Sequence, residues 1–384
     1  MSSTVAPRQS QRPHLISTVI TFRKAPPCLP AVAEVARPSS PDHPYWLDHR
    51  HLVRLGNAET IGSGEWDTDP AEDYRSEVAN TNLRVRRWLA RDGETALGHA
   101  RLGLQLRDTD AAAELTVFVH PDHRGQGIGR RLAEAALTAA RSAGARLVHG
   151  YVSTPVITEP SAVKLLRSPT GHGVVPADHP GVRLARGLGM TLGQIERVSR
   201  YELTGSTELL ERAFADAEAS AGSDYRVHLW EGGVLDDRLE AMAALVSRMS
   251  IDIPHGGLDI VAERWDAERI RDAYVEYAVT HRVFLAVAEH LPTGELVAYN
   301  ELASPAASPS NAVEQWDTLV AGPHRGHRLG KLVKAANLLR LRVEVPEAPY
   351  VMTWNAAENT PMLRVNEELG FTGFLAEAIF ELRL

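Results

Sequence analysis

One stretch of the chain has the order strand, glycine-rich loop, helix. It begins with an apolar, β-branched run from Leu115 to Val119, which predicts a buried strand. Pro121 ends that strand, because proline cannot donate a hydrogen bond to a strand ladder. Glycines at alternate positions from Gly125 to Gly129 follow, and apolar residues at helical spacing come next. A helix start has unpaired N–H groups and the positive end of the helix dipole, so the stretch predicts an anion site.

The spacing of the glycines restricts the kind of anion site. A Walker loop ends in Gly-Lys-Ser or Gly-Lys-Thr, and Arg130 follows Gly129 here. A dinucleotide-binding loop has Gly-x-Gly-x-x-Gly, whereas this loop has Gly-x-Gly-x-Gly. The pattern Arg-x-x-Gly-x-Gly, from Arg124 to Gly129, resembles the pyrophosphate loop of the GNAT acyltransferase superfamily. The resemblance implies that the loop amides hold the pyrophosphate of acetyl-CoA and that the preceding strand pairs with its pantetheine arm. A plain strand-to-helix turn with glycines is the alternative.

The same pattern recurs in the second half of the chain. Arg325-Gly326 follows Arg124-Gly125 at an offset of 201 residues (325 minus 124), again between a predicted strand and a predicted helix. Such internal similarity indicates a duplicated domain. We therefore expect an α+β fold class with two tandem GNAT folds and separate cores, each a mixed, mostly antiparallel sheet flanked by helices. The predicted segments are a disordered tail (1–13), an N-terminal domain (14–203), a connector helix (204–224) and a C-terminal domain (225–384).

Some local elements are predicted outside these repeats. Leu15 to Phe22 predicts a first strand, and Leu29 to Ala36 predicts a short helix. Ser153 to Asp178 contains several glycines, prolines and histidines and predicts a long loop. Because long loops in compact domains are often functional, His172 and His179 are candidates to line a site, although solvated loop histidines are more common.

A second family motif supports the resemblance in the second half. Asn359 begins a predicted helix that ends at Leu369-Gly370-Phe371, similar to the family's Asn-initiated helix ending in Leu-Gly-Phe. The first half has Asp178 at the position of this Asn. Many family members have a tyrosine that reprotonates the CoA thiolate, but this chain has Ala185 there in the first half and Asn366 in the second. A water, another side chain or direct loss of the thiolate would have to serve instead.

The two loops differ at their middle glycine, which is Gly127 in the first half and Arg328 in the second. An arginine there would either block the pyrophosphate or bind a phosphate bidentately, so the first half is the safer CoA site by motif. The resemblance assigns CoA binding to strand and loop residues of both halves and to the Asn of the second motif. These residues are Val117, Phe118, Val119, Arg124, Gly125, Gln126, Gly127, Ile128, Gly129, Arg130, Leu319, Val320, Arg325, Gly326, His327, Arg328, Leu329, Gly330, Lys331 and Asn359.

Family members often deprotonate the amine with a glutamate on the strand before the loop. Glu314 matches that position, and Asp317 on the same strand is the rival candidate. The aligned residue in the first half is Ala113, with Glu114 beside it and pointing to the other face of a regular strand. We therefore expect the second half to do the chemistry and the first half to be mainly structural. An exposed carboxylate at a strand end is the alternative interpretation of Glu314.

Composition restricts the class of protein and its partners. The chain has 384 residues and a net charge of −8, which argues against a broad nucleic-acid-binding surface. No run approaches the ~18–20 apolar residues of a membrane helix, and the N-terminus has no apolar signal core. Cys28 is the only cysteine, so an internal disulfide is impossible. We expect a cytoplasmic protein, a monomer or homodimer, with neither nucleic-acid nor membrane partners.

The resemblance implies an acyltransferase that moves an acetyl or other short acyl group from acyl-CoA to an amine of a small molecule or peptide. It implies acetyl-CoA as co-substrate and no metal. Two alternatives stay open: a degenerate acyl-CoA-binding sensor or scaffold without turnover, and a transferase whose acyl donor is bound to a carrier protein. Release of the CoA thiol over a panel of amines would distinguish transfer from binding alone.

Overall fold

The computed structural model of the chain describes residues 30–62, 64–106, 112–157, 159, 163–252, 254–259 and 263–384. The predicted tail (1–13), the predicted strand Leu15 to Phe22 and Cys28 lie outside the described residues. The predicted helix Leu29 to Ala36 is wrong over its described part, because Ala31–Val35 forms strand β1 at the edge of a sheet. Pairing with a neighbouring strand overrides the local helix preference of alanine here.

Helices and strands alternate along the rest of the chain. The helices are α1 (Pro44–Ile61), α2 (Pro70–Ala79), α3 (Ile128–Ser142), α4 (Pro180–Gly187), α5 (Glu208–Ala221), α6 (Leu239–Val246), α7 (Met249–Asp252), α8 (Ala267–Tyr277), α9 (Leu329–Glu344) and α10 (Thr360–Glu368). The remaining strands are β2 (Leu83–Asp92), β3 (Thr95–Gln105), β4 (Ala113–Val119), β5 (Leu147–Pro155), β6 (Leu165–Arg167), β7 (Val174–Pro176), β8 (Thr191–Glu202), β9 (Tyr225–Glu231), β10 (His281–His290), β11 (Glu295–Pro305), β12 (Val313–Val320), β13 (Tyr350–Ala356) and β14 (Thr372–Arg383). The predicted long loop therefore contains the short antiparallel ribbon β6–β7.

One sheet runs through the described part of the molecule, in the order β1-β2-β3-β4-β5-β14-β8-β13-β12-β11-β10-β9. Its pairs are antiparallel except β4–β5 and β12–β13, which are parallel. A mixed, mostly antiparallel sheet with flanking helices was predicted for each half, and this prediction is confirmed.

The two halves exchange their last strands. Strand β14, from the end of the chain, lies beside β5 of the first half, with Ile379 opposite Tyr151. Strand β8, the last strand of the first half, lies beside β13 of the second half, with Val198 opposite Trp354. The exchanged strands also pair with each other, with Glu377 opposite Glu196, and this pair joins the two half-sheets. Each half-sheet is therefore completed by a strand from the other half.

The exchange makes the cores interdependent. Phe380 of β14 is fully buried among first-half side chains that include Val182, Ala185 and Met190. The expectation of separate cores is therefore wrong, because a final strand that pairs only with distant neighbours carries no local signal of which sheet it joins. The segment boundaries themselves stay a prediction. Helix α5, within the predicted connector, buries Leu210 in the core of the second half.

The helices cover both faces of the sheet. Helix α3 packs its apolar side on Ala100 and Leu102 of β3, because its alanines and leucines recur every three or four residues. Helix α1 lies against the opposite face of β3, β4 and β5. Across the described residues, no helix has the length and apolar character needed to span a membrane.

Candidate functional site

The first half contains a split between two parallel strands. Strands β4 and β5 pair only from Ala113 to Leu115 on one side and from Val148 to Gly150 on the other. Beyond these residues β4 continues to Val119 with β3 as its only described strand partner. Backbone groups of β4 on the side facing the split are therefore available to a ligand.

A glycine loop lies at the mouth of this split. Gly125 and Gly127 have positive φ angles of 76° and 80°, and Gly127 is the residue before the first turn of α3. A Cβ at either position would meet no atom within 4 Å, so these glycines are favoured by backbone conformation and leave open space above the loop. No side chain caps the start of α3, so its first N–H groups point into that space.

Arg124 fixes the loop in place. Its Nε donates to the carbonyl of Val119 at 3.0 Å, and its two Nη atoms donate to the carboxylate of Glu59 on α1 at 2.6 and 2.5 Å. This bidentate pair holds the pKa of Glu59 below its usual value. The charge of Arg124 is thus balanced by α1. Arg130 binds the carbonyl of Gly187 on α4 at 2.7 Å, and its side chain is half exposed.

The split, the loop, α1 and α4 together enclose a cleft of about 660 Å³. Every residue predicted to bind CoA in the first half lines it except Gln126. His179, predicted only as a candidate, also lines the cleft, whereas His172 lies exposed in a turn. Sequence reasoning missed the contributions of α1, of the segment between α1 and α2, of β3 and of β5. These contributions include Leu52, Gly56, Trp66, His99, Tyr151 and Ser153.

The second half repeats the loop backbone with a different side chain. Gly326 has a φ of 91°, and Arg328, directly before α9, has a φ of 57°, the left-handed conformation of Gly127. Arg325 donates from Nε to the carbonyl of Val320 at 3.2 Å, as Arg124 does to Val119. The exposed side chain of Arg328 therefore does not prevent the loop from forming.

The other residues predicted to bind CoA in the second half flank that loop. Lys331 pairs with Glu368, and Asn359 caps α10 by accepting a hydrogen bond from the Met362 N–H at 3.4 Å. Leu319 and Leu329 are buried, and His327 is exposed. No contact described for these residues tests a role in CoA binding, which stays a prediction.

A β-bulge changes the alignment of the two halves. Strand β12 has one more residue than β4 at this point, because Trp316 and Asp317 together face Glu301 of β11. Before the bulge, Glu314 is opposite Ala303 of β11 and Met352 of β13. In the first half, the residue at the equivalent register position is Glu114, which is opposite Gly103 of β3 and His149 of β5. The predicted alignment of Glu314 with Ala113 is therefore wrong, and both halves have a glutamate at this position.

The two predicted bases of the second half have different surroundings. Glu314 accepts a hydrogen bond from the Trp316 indole at 3.0 Å. Asp317 accepts one from the Tyr299 hydroxyl at 3.1 Å, and burial raises the pKa of its carboxyl. Neighbouring Glu301 accepts a hydrogen bond from Tyr274, and burial together with Asp317 raises the pKa of Glu301 to about 8. These contacts do not test a catalytic role for Glu314 or Asp317, which stays a prediction.

Polar side chains also lie on the face of β3 that α1 covers. His99 is 2% exposed, lines the cleft and has an unpartnered Nδ1; burial and then nearby arginines lower its pKa to about 3, so the ring is neutral. His49 of α1 contacts the His99 ring edge-on at 4.6 Å between centroids. Arg101 is two residues along from His99, and burial lowers the pKa of its guanidinium. A histidine and an arginine within the strand Thr95–Gln105 are the sequence signal that could have identified this face.

Carboxylates from both halves surround Tyr151 in the wall of the cleft. Burial raises the pKa of the Tyr151 hydroxyl, and Glu114, Glu377 and Glu196 raise it further. Glu377 of β14 accepts a hydrogen bond from Ser153 at 2.5 Å. Burial and then the adjacent Glu377 raise the pKa of Glu196 to about 7. The strand exchange therefore brings one second-half carboxyl, that of Glu377, to the first-half cleft.

Comparison with known proteins agrees with this geometry. Residues 51–157 match the acetyltransferase (GNAT) family. A solved tandem GNAT protein from the clavulanic acid biosynthesis pathway superimposes with a TM-score of 0.69 at 22% identity, covering 92% of this chain and 98% of that one. A GCN5-related N-acetyltransferase from Sphaerobacter thermophilus gives a TM-score of 0.58 at 16% identity, covering 93% and 97%. A search of curated proteins finds no match.

The split between β4 and β5 and the first glycine loop lie within the matched segment. In the second half, the parallel pair β12–β13 is the structural counterpart of β4–β5. Both solved structures extend over more than nine-tenths of the chain. Residues 51–157 match the acetyltransferase (GNAT) family, and the chain as a whole has the fold of the solved tandem GNAT protein.

Proposed function

We propose that the first half binds acyl-CoA and transfers its acyl group to an amine. The observation that carries this proposal is the continuity of the cleft, which extends from the helix start at Gly127 along β4 to Tyr151. A helix start favours the pyrophosphate, and the unpaired side of β4 suits an extended amide-containing arm. The apolar side chains of Leu52 and Val53 suit the acyl end.

The reaction requires an amine that has lost a proton. Its nitrogen attacks the thioester carbonyl, the new C–N bond forms, the C–S bond breaks, and CoA leaves as a thiolate. One proton of the ammonium group goes to a carboxylate, and a second ends on the thiolate. Glu114 is the carboxylate that we assign to this step, because it lies on β4 before the split and beside Tyr151. A base of this kind typically contributes ~10²–10⁴-fold to the rate.

The second half stays a candidate for the same chemistry. Its loop has the same backbone conformation, and Glu314 has the register position of Glu114. The equivalence of these two glutamates removes one reason for assigning chemistry to the second half alone. Parallel kinetics of Glu114→Gln and Glu314→Gln decide the assignment: we expect the first substitution to lower kcat at least ~10-fold. An unchanged kcat in Glu114→Gln together with a lowered kcat in Glu314→Gln would assign catalysis to the second half.

The donor site has a closely matched test. Gly127→Glu places a carboxylate where the pyrophosphate must approach, whereas Gly144→Glu places one in the same left-handed conformation at the other end of α3. Neither new side chain meets an atom within 4 Å at its Cβ. We expect Gly127→Glu to weaken acetyl-CoA binding at least ~10-fold by calorimetry and Gly144→Glu to leave it unchanged. Equal affinities in the two variants would contradict the proposed site.

A binding protein without turnover is the second candidate. This candidate is favoured by Ala185, which stands where many family members have the tyrosine that reprotonates the thiolate. The Ala185 side chain is buried in the core beneath α4 and has no proton to donate. Thiol release from acetyl-CoA in the presence of amines distinguishes the candidates. Tight acetyl-CoA binding without amine-dependent thiol release would favour the sensor.

A further inference from the structure

The cleft has a hydroxyl group at the inner end of the strand split. Tyr151 is the first residue of β5 after Gly150, where the pairing of β5 with β4 ends, and its side chain lines the cleft. This side chain is 44% exposed, and its hydroxyl makes no hydrogen bond within the described ranges. A phenol donates one hydrogen bond and also accepts. The Tyr151 hydroxyl is therefore available to a molecule in the cleft.

The strand register places carboxylates around this hydroxyl. Glu114 of β4 has a register position two residues before Tyr151, so both side chains lie on one face of the sheet. Glu377 of β14 is opposite both Ser153 and Glu196, which makes it a diagonal neighbour of Tyr151 on that face. Burial and then these carboxylates raise the pKa of the Tyr151 hydroxyl. A phenolate is disfavoured there, so Tyr151 loses its proton only when it receives another.

Three other polar side chains of the cleft are less suited to donate a proton at this point. The Ser153 hydroxyl donates to Glu377 at 2.5 Å. His99 lies on β3, one strand further from the split, and burial lowers the pKa of its ring to about 3, so the ring carries no extra proton. His179 precedes α4 and lies close to Arg124 of the glycine loop. Tyr151 combines an available hydroxyl with a place at the inner end of the split.

We propose that Tyr151 gives the CoA sulfur its proton and recovers one from the attacking nitrogen. This inference rests on the proposed function and adds a catalytic residue to it. After the attack, nitrogen and sulfur are bonded to the same carbon, so one hydroxyl reaches both. The C–S bond breaks with its electron pair on sulfur, the Tyr151 O–H proton passes to sulfur, and an N–H proton passes to the Tyr151 oxygen. Glu114 takes the other ammonium proton, and Tyr151 ends unchanged.

Removal of the hydroxyl tests this step with acetyl-CoA and a panel of primary amines. Tyr151→Phe loses only the oxygen of a side chain that is nearly half exposed, so it should fold as the wild type does. We expect Tyr151→Phe to lower kcat at least ~10-fold and to leave acetyl-CoA affinity, measured by calorimetry, unchanged. Tyr45→Phe removes the same oxygen from a side chain of matched exposure, 43%, that does not line the cleft, and it should behave as wild type.

A binding measurement tests the contact with sulfur without turnover. Calorimetry compares the affinity for CoA with that for desulfo-CoA, which lacks the sulfur, in wild type and in both variants. A hydroxyl that donates to the sulfur contributes to the preference for CoA. This preference should fall at least ~3-fold in Tyr151→Phe and stay unchanged in Tyr45→Phe.

Several outcomes overturn the inference. An unchanged kcat in Tyr151→Phe does so, as does an unchanged preference for CoA over desulfo-CoA. A fall in acetyl-CoA affinity as large as the fall in kcat/KM would mean that the hydroxyl binds the donor and transfers no proton. Failure of the proposed function has a different signature: the wild type then releases no thiol with any amine, or acetyl-CoA binds Gly127→Glu and wild type equally.

Discussion

At the scale of single residues, the two glycine loops differ in the conformational free energy of the residue directly before the helix. Gly127 and Arg328 both have left-handed φ angles before a helix, but only glycine adopts that conformation without steric cost. A residue with a Cβ is disfavoured there by roughly 1–2 kcal/mol. The second half therefore retains strain that the first half avoids.

Reciprocal substitutions should reveal this strain. We expect Arg328→Gly to raise the free energy of unfolding by about 0.5–1 kcal/mol, because relief of strain exceeds the added flexibility of the unfolded chain. Gly127→Ala should lower it by about 1 kcal/mol, since its Cβ meets no neighbouring atom and only the backbone is affected. Urea unfolding measures both. Destabilisation by Arg328→Gly would show instead that the arginine side chain contributes a stabilising contact.

Lys334 on α9 is a second residue with a measurable consequence. It is fully buried, its ammonium or amine donates to Asn366 at 2.5 Å, and burial lowers its pKa to about 7 from 10.5. In the unfolded chain the lysine keeps its proton up to about pH 10.5. Between these values the unfolded state binds more protons than the folded state, so stability rises with pH.

Lys334→Met removes that dependence while keeping a similar volume. The difference in unfolding free energy, wild type minus variant, should increase by about 2 kcal/mol between pH 7 and pH 9. Loss of the hydrogen bond to Asn366 shifts this free-energy difference by the same amount at every pH, so it does not change the slope of the difference against pH. Parallel stability curves over that pH range would mean that Lys334 stays charged in the folded protein.

At the scale of elements, the exchanged strand β14 supports the donor cleft. Phe380 packs on Val182 and Ala185 of α4, and α4 forms one wall of the cleft. Phe284 on β10 is equally buried, but its neighbours belong to α5, α9 and the second half-sheet. The two phenylalanines are therefore a matched pair for separating stability from binding.

We expect Phe380→Ala and Phe284→Ala each to lower the free energy of unfolding by about 3–5 kcal/mol, because both leave a cavity in a closed core. Only Phe380→Ala should also weaken acetyl-CoA binding, because α4 loses the side chain that holds it against the sheet. Calorimetric titration at a temperature where both variants are folded makes the comparison. Equal acetyl-CoA affinities would show that α4 keeps its position without β14.

At the scale of the whole molecule, the strand exchange should couple the two halves during unfolding. Removing β14 from β5, or β8 from β13, exposes long rows of backbone groups in the opposite half. We therefore expect one cooperative transition in calorimetry, with equal calorimetric and van't Hoff enthalpies. Two resolved transitions would contradict this coupling, as would a segment 14–203 that folds alone.

The sequence by itself determined the parts of the fold that depend on near neighbours. The glycine loop, the strand before it and the helix after it were predictable in both halves, because glycine spacing and apolar periodicity act over a few residues. The same local pattern predicted that Val117 to Val119 and the loop share one binding site, and all of these residues except Gln126 line one cleft.

Tertiary structure alone decided the features that depend on distant pairing. The final strands β8 and β14 are both antiparallel and apolar on one face, so their sequences do not state which half-sheet they complete. The single extra residue in β12 is recognised only from the pairing of β12 with β11. Because of it, the first-half residue equivalent to Glu314 is Glu114 and not Ala113. The lowered pKa of the Arg101 guanidinium likewise follows from its burial, since the environment of a buried charge is set by the packing of several chain segments at once.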